Sequence, residues 1–129
     1  MIPRNLTDHQ VNGLNERIVI KVMDEPGPGG AHHHYLMELV GSKPGEAAIG
    51  VKQCHLEFQN GPIQEVGHNG FTHEALLAIV IDRLRCFQAG PHACRENALA
   101  LTKVQEAMMW LNERTKGRVA RGVEGTNQK

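Results

Sequence analysis

From Arg17 to Met23 apolar and polar positions alternate, with Ile18, Ile20 and Val22 on one face and Arg17, Val19 and Lys21 on the other. That is the period of a half-buried β-strand. The run Pro26-Gly27-Pro28-Gly29-Gly30 suits neither a helix nor a central strand and reads as a loop. A second strand is predicted from about His33 to Val40, and Gly41 to Gly50 reads as another loop. Cys54, Leu56 and Phe58 then alternate with Gln53, His55 and Glu57. Asn60-Gly61 is a hairpin signal that leads into a short strand around Ile63 to Val66. Together these elements make a small antiparallel sheet over about residues 15–67.

The period changes after Asn69-Gly70. Thr72 suits a helix N-cap, with Glu74 well placed in the first turn. Leu76, Leu77, Val80, Leu84 and Phe87 then share a stripe about 100° wide, while Asp82 and Arg85 face away. Ala89-Gly90 ends this helix, and Pro91 suits the first position of the next. The second helix runs from about His92 to beyond Lys116, roughly 39 Å at about 1.5 Å per residue. Its stripe is Asn97, Ala100, Leu101, Val104, Ala107, Met108 and Leu111. A short connection between two apolar-faced helices predicts an antiparallel hairpin over 72–120. The fold class is therefore α+β, a small antiparallel sheet followed by a long two-helix hairpin. It reads as a single domain over 1–129 with a polar tail at 122–129.

Leu99, Met109 and Trp110 lie more than about 100° from the centre of the second helix's stripe. Exposed together they would form an apolar patch of the kind that marks a subunit interface. The alternative is that the sheet covers this side.

A length of 129 residues leaves room for one domain, and 14 basic residues cancel 14 acidic ones. A chain without net charge is a poor general binder of nucleic acid or membrane surfaces. No apolar run approaches the roughly 20 residues that span a bilayer. The stretch MIPRNLTDHQ shows no signal peptide, so nothing points to export and a cytoplasmic location is expected. Cys54, Cys86 and Cys94 form no CxxC pair and read as reduced thiols.

The candidate chemistries thin out quickly. Consecutive His32, His33 and His34 cannot form a facial metal site on a strand, because the middle ring points the opposite way. His55, His68 and His73 could contribute from elsewhere, but no HExxH or paired carboxylates accompany them, and no metal or cofactor is expected. Gly27 to Gly30 lacks the Lys-Ser/Thr of a phosphate loop, and Gly41-Ser42-Lys43 runs into Pro44. Ser42 is the sole serine, and no cysteine stands in a nucleophile signature. The chain does not read as an enzyme.

The basic end of the second helix remains. Arg114 and Arg118 are four apart and project from one side, at the edge of the stripe that contains Asn97. Guanidinium forks match phosphate oxygens and also stack on purines. Phe87, at the end of the first helix, offers another stacking surface. In an antiparallel hairpin Phe87 and Asn97 lie near one end and the two arginines near the other, so they converge only if two hairpins pack head to tail. One reading is an intersubunit pocket for a small phosphorylated nucleotide. The other is that Phe87 is core and the arginines are a solvated helix end.

The stretch ACRENALALTKVQEAMMWLNERTKGRVAR (93–121), with EVGHNGFTHEALLAIVIDRLRCFQAGP before it and RGVEGT after it, resembles the phage Thoeris anti-defence sponges. The likeness covers about residues 51–127. Related anti-CBASS sponges resemble the chain only over the hairpin. The resemblance implies a non-catalytic protein of the infected bacterium's cytoplasm. It would bind and sequester cyclic ADP-ribose isomers, chiefly the glycocyclic form, and would not degrade them. It further implies a homo-oligomer, from a dimer up to a hexameric trimer of dimers, and uptake of cyclic di- and trinucleotides at separate sites. Phe87 would stack on a base, Asn97 would hydrogen-bond the ligand, and Arg114 and Arg118 would hold its pyrophosphate and sugar hydroxyls. Phe71 and Arg121 would border the pocket, with the Asn69–Thr72 loop and the tail after Arg118 as lids. The competing readings are a metal-dependent hydrolase of such nucleotides, using the histidines, and a small nucleic-acid-binding factor.

Overall fold

The structure is a computed structural model that describes residues 2–41 and 50–129. The predicted loop from Gly41 to Gly50 and the Gly41-Ser42-Lys43-Pro44 segment fall largely outside the described residues. The chain divides into two compact units: residues 1–61 with 68–70, and residues 62–67 with 71–129.

The first unit is a four-stranded antiparallel sheet in the order β1-β2-β3-β4. Its strands are β1 (Arg4–Leu6), β2 (Ile18–Val22), β3 (His34–Val40) and β4 (Gly50–Glu57). β1 and the one-turn helix α1 (Gly13–Glu16) have no counterpart in the sequence reading. Both are too short to show a period, and α1 rests on its Asn12 cap, whose side chain accepts the Asn15 N–H at 2.9 Å. The alternation of β2 is as expected. The register sets Ile18, Ile20 and Val22 beside Leu39, Met37 and Tyr35, and Val22 is completely buried. The opposite face combines Val19 and the buried Leu36 with polar residues, and there Lys21 Nζ meets Glu38 Oε1 at 3.3 Å while Gln53 Nε2 donates to Glu38 Oε2 at 2.9 Å. The Gln53 amide and the Lys21 ammonium are the largest influences holding the Glu38 carboxyl below its ordinary pKa.

Two expectations fail after β4. Asn60-Gly61 is not a hairpin turn, and Ile63–Val66 is not a strand but a one-turn helix, α2. Pro62 at its N-cap supplies no N–H for a ladder, while its carbonyl accepts from Glu65 and Val66 at 3.0 and 2.9 Å. Asn60 instead pairs with Asn69: the Asn60 N–H donates to Asn69 Oδ1 at 2.8 Å, and Asn69 Nδ2 donates to the Asn60 carbonyl at 2.7 Å. Two side-chain bonds thus replace the turn that an Asn-Gly pair ordinarily builds. Gly70 completes this corner. A Cβ there would sit 2.3 Å from the Phe58 carbonyl carbon, so no other residue fits without moving backbone.

The second unit is the helical hairpin, α3 (His73–Gln88) and α4 (Arg95–Ala120), with α2 and the tail at one end. Thr72 caps α3 as expected, its Oγ1 accepting the Ala75 N–H at 3.1 Å. α4 starts three residues later than expected, because Cys94 and not the segment at Pro91 supplies the cap: its Sγ accepts the Asn97 N–H at 3.4 Å. The Cys94 N–H is itself held by Gln88 Oε1 at 3.0 Å, which fixes the turn between the helices.

The apolar stripe of α3 divides into two rows. Leu77, Ile81, Leu84 and Gln88, at spacings of four, three and four, form the packed row, and Ile81 is 6% exposed. Val80 and Phe87 lie on the other row and stay open at 42% and 38%. Ile81, absent from the predicted stripe, is the deepest apolar residue of the hairpin. On α4 the packed row is Asn97, Leu101, Val104, Met108 and Leu111, the heptad spacing that suits antiparallel helices crossing at a shallow angle. Leu99, Met109 and Trp110 are exposed at 48%, 47% and 63%.

Candidate functional site

A cleft of about 480 Å³ opens at the turn end of the hairpin, lined by Val80, Arg83, Leu84, Phe87, His92 and Asn97. The open row of α3 supplies its apolar wall and the first turn of α4 its floor. Phe87 and Asn97, both expected in the site, therefore meet within one hairpin. Sequence reasoning missed Arg83 and His92. Arg83 sits one turn before Phe87, and its Cζ lies 5.7 Å from the Phe87 ring centroid, a cation–π contact. The i,i+4 spacing of a cation and an aromatic ring was the available signal. His92 gave none, because it lies in the non-helical turn. An aromatic face, a guanidinium and an amide that makes no side-chain hydrogen bond among the described residues suit a planar, hydrogen-bonding, anionic ligand.

The other four expected residues lie at the opposite end. About 25 Å of helix axis separates Asn97 from Arg114 at about 1.5 Å per residue, so one hairpin cannot bring them to one ligand. Phe71, just before the Thr72 cap, is 59% exposed. Arg114 is exposed and has no hydrogen-bond or ion-pair partner among the described residues.

Arg118 differs sharply, being 6% exposed. It continues the packed row of α4 at the place where apolar residues run out. Its Nε meets Glu124 Oε2 at 3.2 Å, its Nη2 donates to the carbonyls of Val123 and Thr126 at 2.8 and 3.0 Å, and its Nη1 donates to the Gln128 carbonyl. Arg121 Nη1 donates to the Lys129 carbonyl at 2.8 Å.

The polar tail is thus held by its own chain. Gly122, at a φ of 72°, closes α4 in a Schellman motif, with the Val123 N–H reaching the Arg118 carbonyl at 3.0 Å. Further along, the Gln64 N–H of α2 donates to the Gly125 carbonyl at 3.2 Å.

The histidine run occupies the other unit. Asp24 accepts the N–H groups of His33 and His34 at 2.9 and 3.1 Å. Burial alone would raise its pKa, but these two bonds and the nearby His32 outweigh burial and lower it. Among the described residues no group of three or more His, Cys, Asp or Glu side chains could hold a metal ion, and all three cysteines are free. No helix among them is long and apolar enough to cross a membrane.

Residues 53–116, which span β4 from Gln53 through most of the hairpin, match the Acb2/Tad1 hairpin domain. The chain is also 54% identical over 78 residues to Thoeris anti-defense 1 of Bacillus phage SBSphiJ7, an alignment covering 60% of this chain and 55% of that protein. The chain therefore spans about half the length of the curated relative it matches. The matched segment contains the whole cleft and Arg114, while Arg118 and the tail follow it. Residues 53–116 place the chain's hairpin in the Acb2/Tad1 hairpin-domain family.

Proposed function

We propose that the protein is a phage anti-defence factor that sequesters a cyclic ADP-ribose-type signalling nucleotide without degrading it. In this way it would blunt Thoeris immunity in the cytoplasm of the infected bacterium. The observation that carries the reading is the turn-end cleft, where Phe87, Arg83 and Asn97 converge inside the family-matched segment. Phe87 stacks on the base, Asn97 hydrogen-bonds the ligand, and Arg114 reaches the pyrophosphate from a second hairpin packed head to tail. The exposed Leu99, Met109 and Trp110 supply apolar surface for such self-association, as a dimer or a trimer of dimers. Phe71, Arg118, Arg121 and the ordered tail border the shared site. Cyclic di- and trinucleotides of CBASS defence would be taken up at a separate place.

Each site of a sponge acts once, so function rests on affinity and slow release. The test is incubation with a glycocyclic ADP-ribose isomer, then filtration, then heat denaturation. Ligand that leaves the filtrate and returns intact on heating supports sequestration. Ligand that stays free overturns the choice of nucleotide. Ligand that returns as products, in a reaction stopped by a chelator, marks a metal-dependent hydrolase instead.

A further inference from the structure

Nucleotide binding gives no part to the histidines of the sheet. β3 and β4 pair His34 with Glu57 and Leu36 with His55, so His34 and His55 are diagonal neighbours on the face that also carries the buried Leu36. Their rings are tilted by 40° with centroids 5.2 Å apart, and His34 Nε2 stands 2.9 Å from His55 Nδ1. Two ring nitrogens this close cannot both present lone pairs to one another. Something positive belongs between them, either a proton on one ring or a cation bound by both. The other two members of the run are occupied elsewhere: His32 Nδ1 lies 2.6 Å from the Asp24 carbonyl, and His33 Nε2 lies 3.0 Å from the Pro28 carbonyl.

We propose that His34 Nε2 and His55 Nδ1 form a two-imidazole chelate for a divalent transition metal of tetragonal preference, Cu²⁺ before Ni²⁺ and both before Zn²⁺. The argument is one of bite. Two nitrogens each about 2.05 Å from a metal stand about 2.9 Å apart in adjacent positions of a square-planar or octahedral shell, and about 3.3 Å apart in a tetrahedron. The separation of 2.9 Å lies within reach of the first bite, and a bound metal replaces the N–H···N hydrogen bond that the two rings otherwise make. The χ2 torsion of histidine is broad, so a small rotation of each ring aims both lone pairs at a common point above the sheet. Both ligands stand on hydrogen-bonded neighbouring strands, which fixes their Cβ positions in advance.

The surrounding charges are mixed. Glu57 lies across from His34, and Glu38 is close enough to feel the charge of His55, so two carboxylates favour a cation. Lys21 offsets part of that field through its ion pair with Glu38. No third His, Cys, Asp or Glu side chain among the described residues completes a three-ligand set. Water fills the remaining positions, and the site is weaker than a closed structural zinc centre.

The test is titration of the whole chain with Cu²⁺, followed by electron paramagnetic resonance, with no nucleotide present. One Cu²⁺ per chain is expected, with splitting from two imidazole nitrogens. His34→Gln and His55→Gln each remove one nitrogen from that pattern and weaken binding about tenfold or more. His32→Gln and His33→Gln leave the two-nitrogen signal unchanged, and far-UV circular dichroism checks that every variant is folded. Competition ranks Ni²⁺ above Zn²⁺. An unchanged two-nitrogen signal in both the His34 and His55 variants, absence of imidazole splitting in the parent chain, or Zn²⁺ displacing Ni²⁺ overturns the proposal.

Discussion

The two ends of the hairpin carry similar side chains in opposite states. At the turn end, Arg83 lies against an open aromatic ring and lines a cleft. At the other end, Arg118 is buried, its guanidinium shared between the Glu124 carboxylate and three tail carbonyls. The first arrangement leaves donors available to a ligand. The second uses them to fold residues 122–129 against α4, so that Arg114 is the arginine of that end with no partner among the described residues. A cation on a helix surface therefore says little about binding until its neighbours are known. What decides is whether backbone carbonyls reach it first.

Arg118→Ala is the substitution that breaks this contrast most strongly. It removes a buried charge and orphans several carbonyls, and the expected loss of stability is about 3 kcal/mol. Hydrogen exchange should show residues 122–129 opening in that variant while the α3 amides near Ile81 stay protected. Phe87→Ala comes next. Loss of one base–aromatic stack costs about 1–3 kcal/mol of ligand affinity, roughly ten- to hundredfold. Retention by filtration reports that loss, and the oligomer seen by size-exclusion chromatography should persist.

Thr72→Ala removes the cap of α3 and should cost about 1 kcal/mol, read from the denaturation midpoint, with the turn-end cleft unaltered. Arg114→Ala has the smallest effect on folding, within about 0.5 kcal/mol, yet it should abolish ligand retention. Those two outcomes together separate an arginine kept free for a ligand from one that serves the fold. Wild-type retention by Arg114→Ala would remove the second hairpin from the binding site.

Much of the architecture was legible because it rests on period. The alternation of Ile18, Ile20 and Val22 places β2, and the Thr72 cap starts α3 where expected. Misreadings fell where one residue has two competing uses. Asn60 can turn a hairpin or bond across a corner, and only its meeting with Asn69 decides. Pro62 ends a ladder as readily as it starts a helical turn. Of the cleft's lining, Phe87 and Asn97 stand on helices whose period is legible in the chain, whereas His92 depends on a turn that has no period.

The sequence by itself determined the fold class, the helical hairpin and that hairpin's family, since each is written in local spacing and in short specific runs. Tertiary structure decided which row of α3 packs, that Arg118 is spent on the tail, and that His34 faces His55. Those outcomes depend on register and on which groups lie opposite one another. Residues far apart in the chain settle both, and the spacing within any one segment carries no record of them.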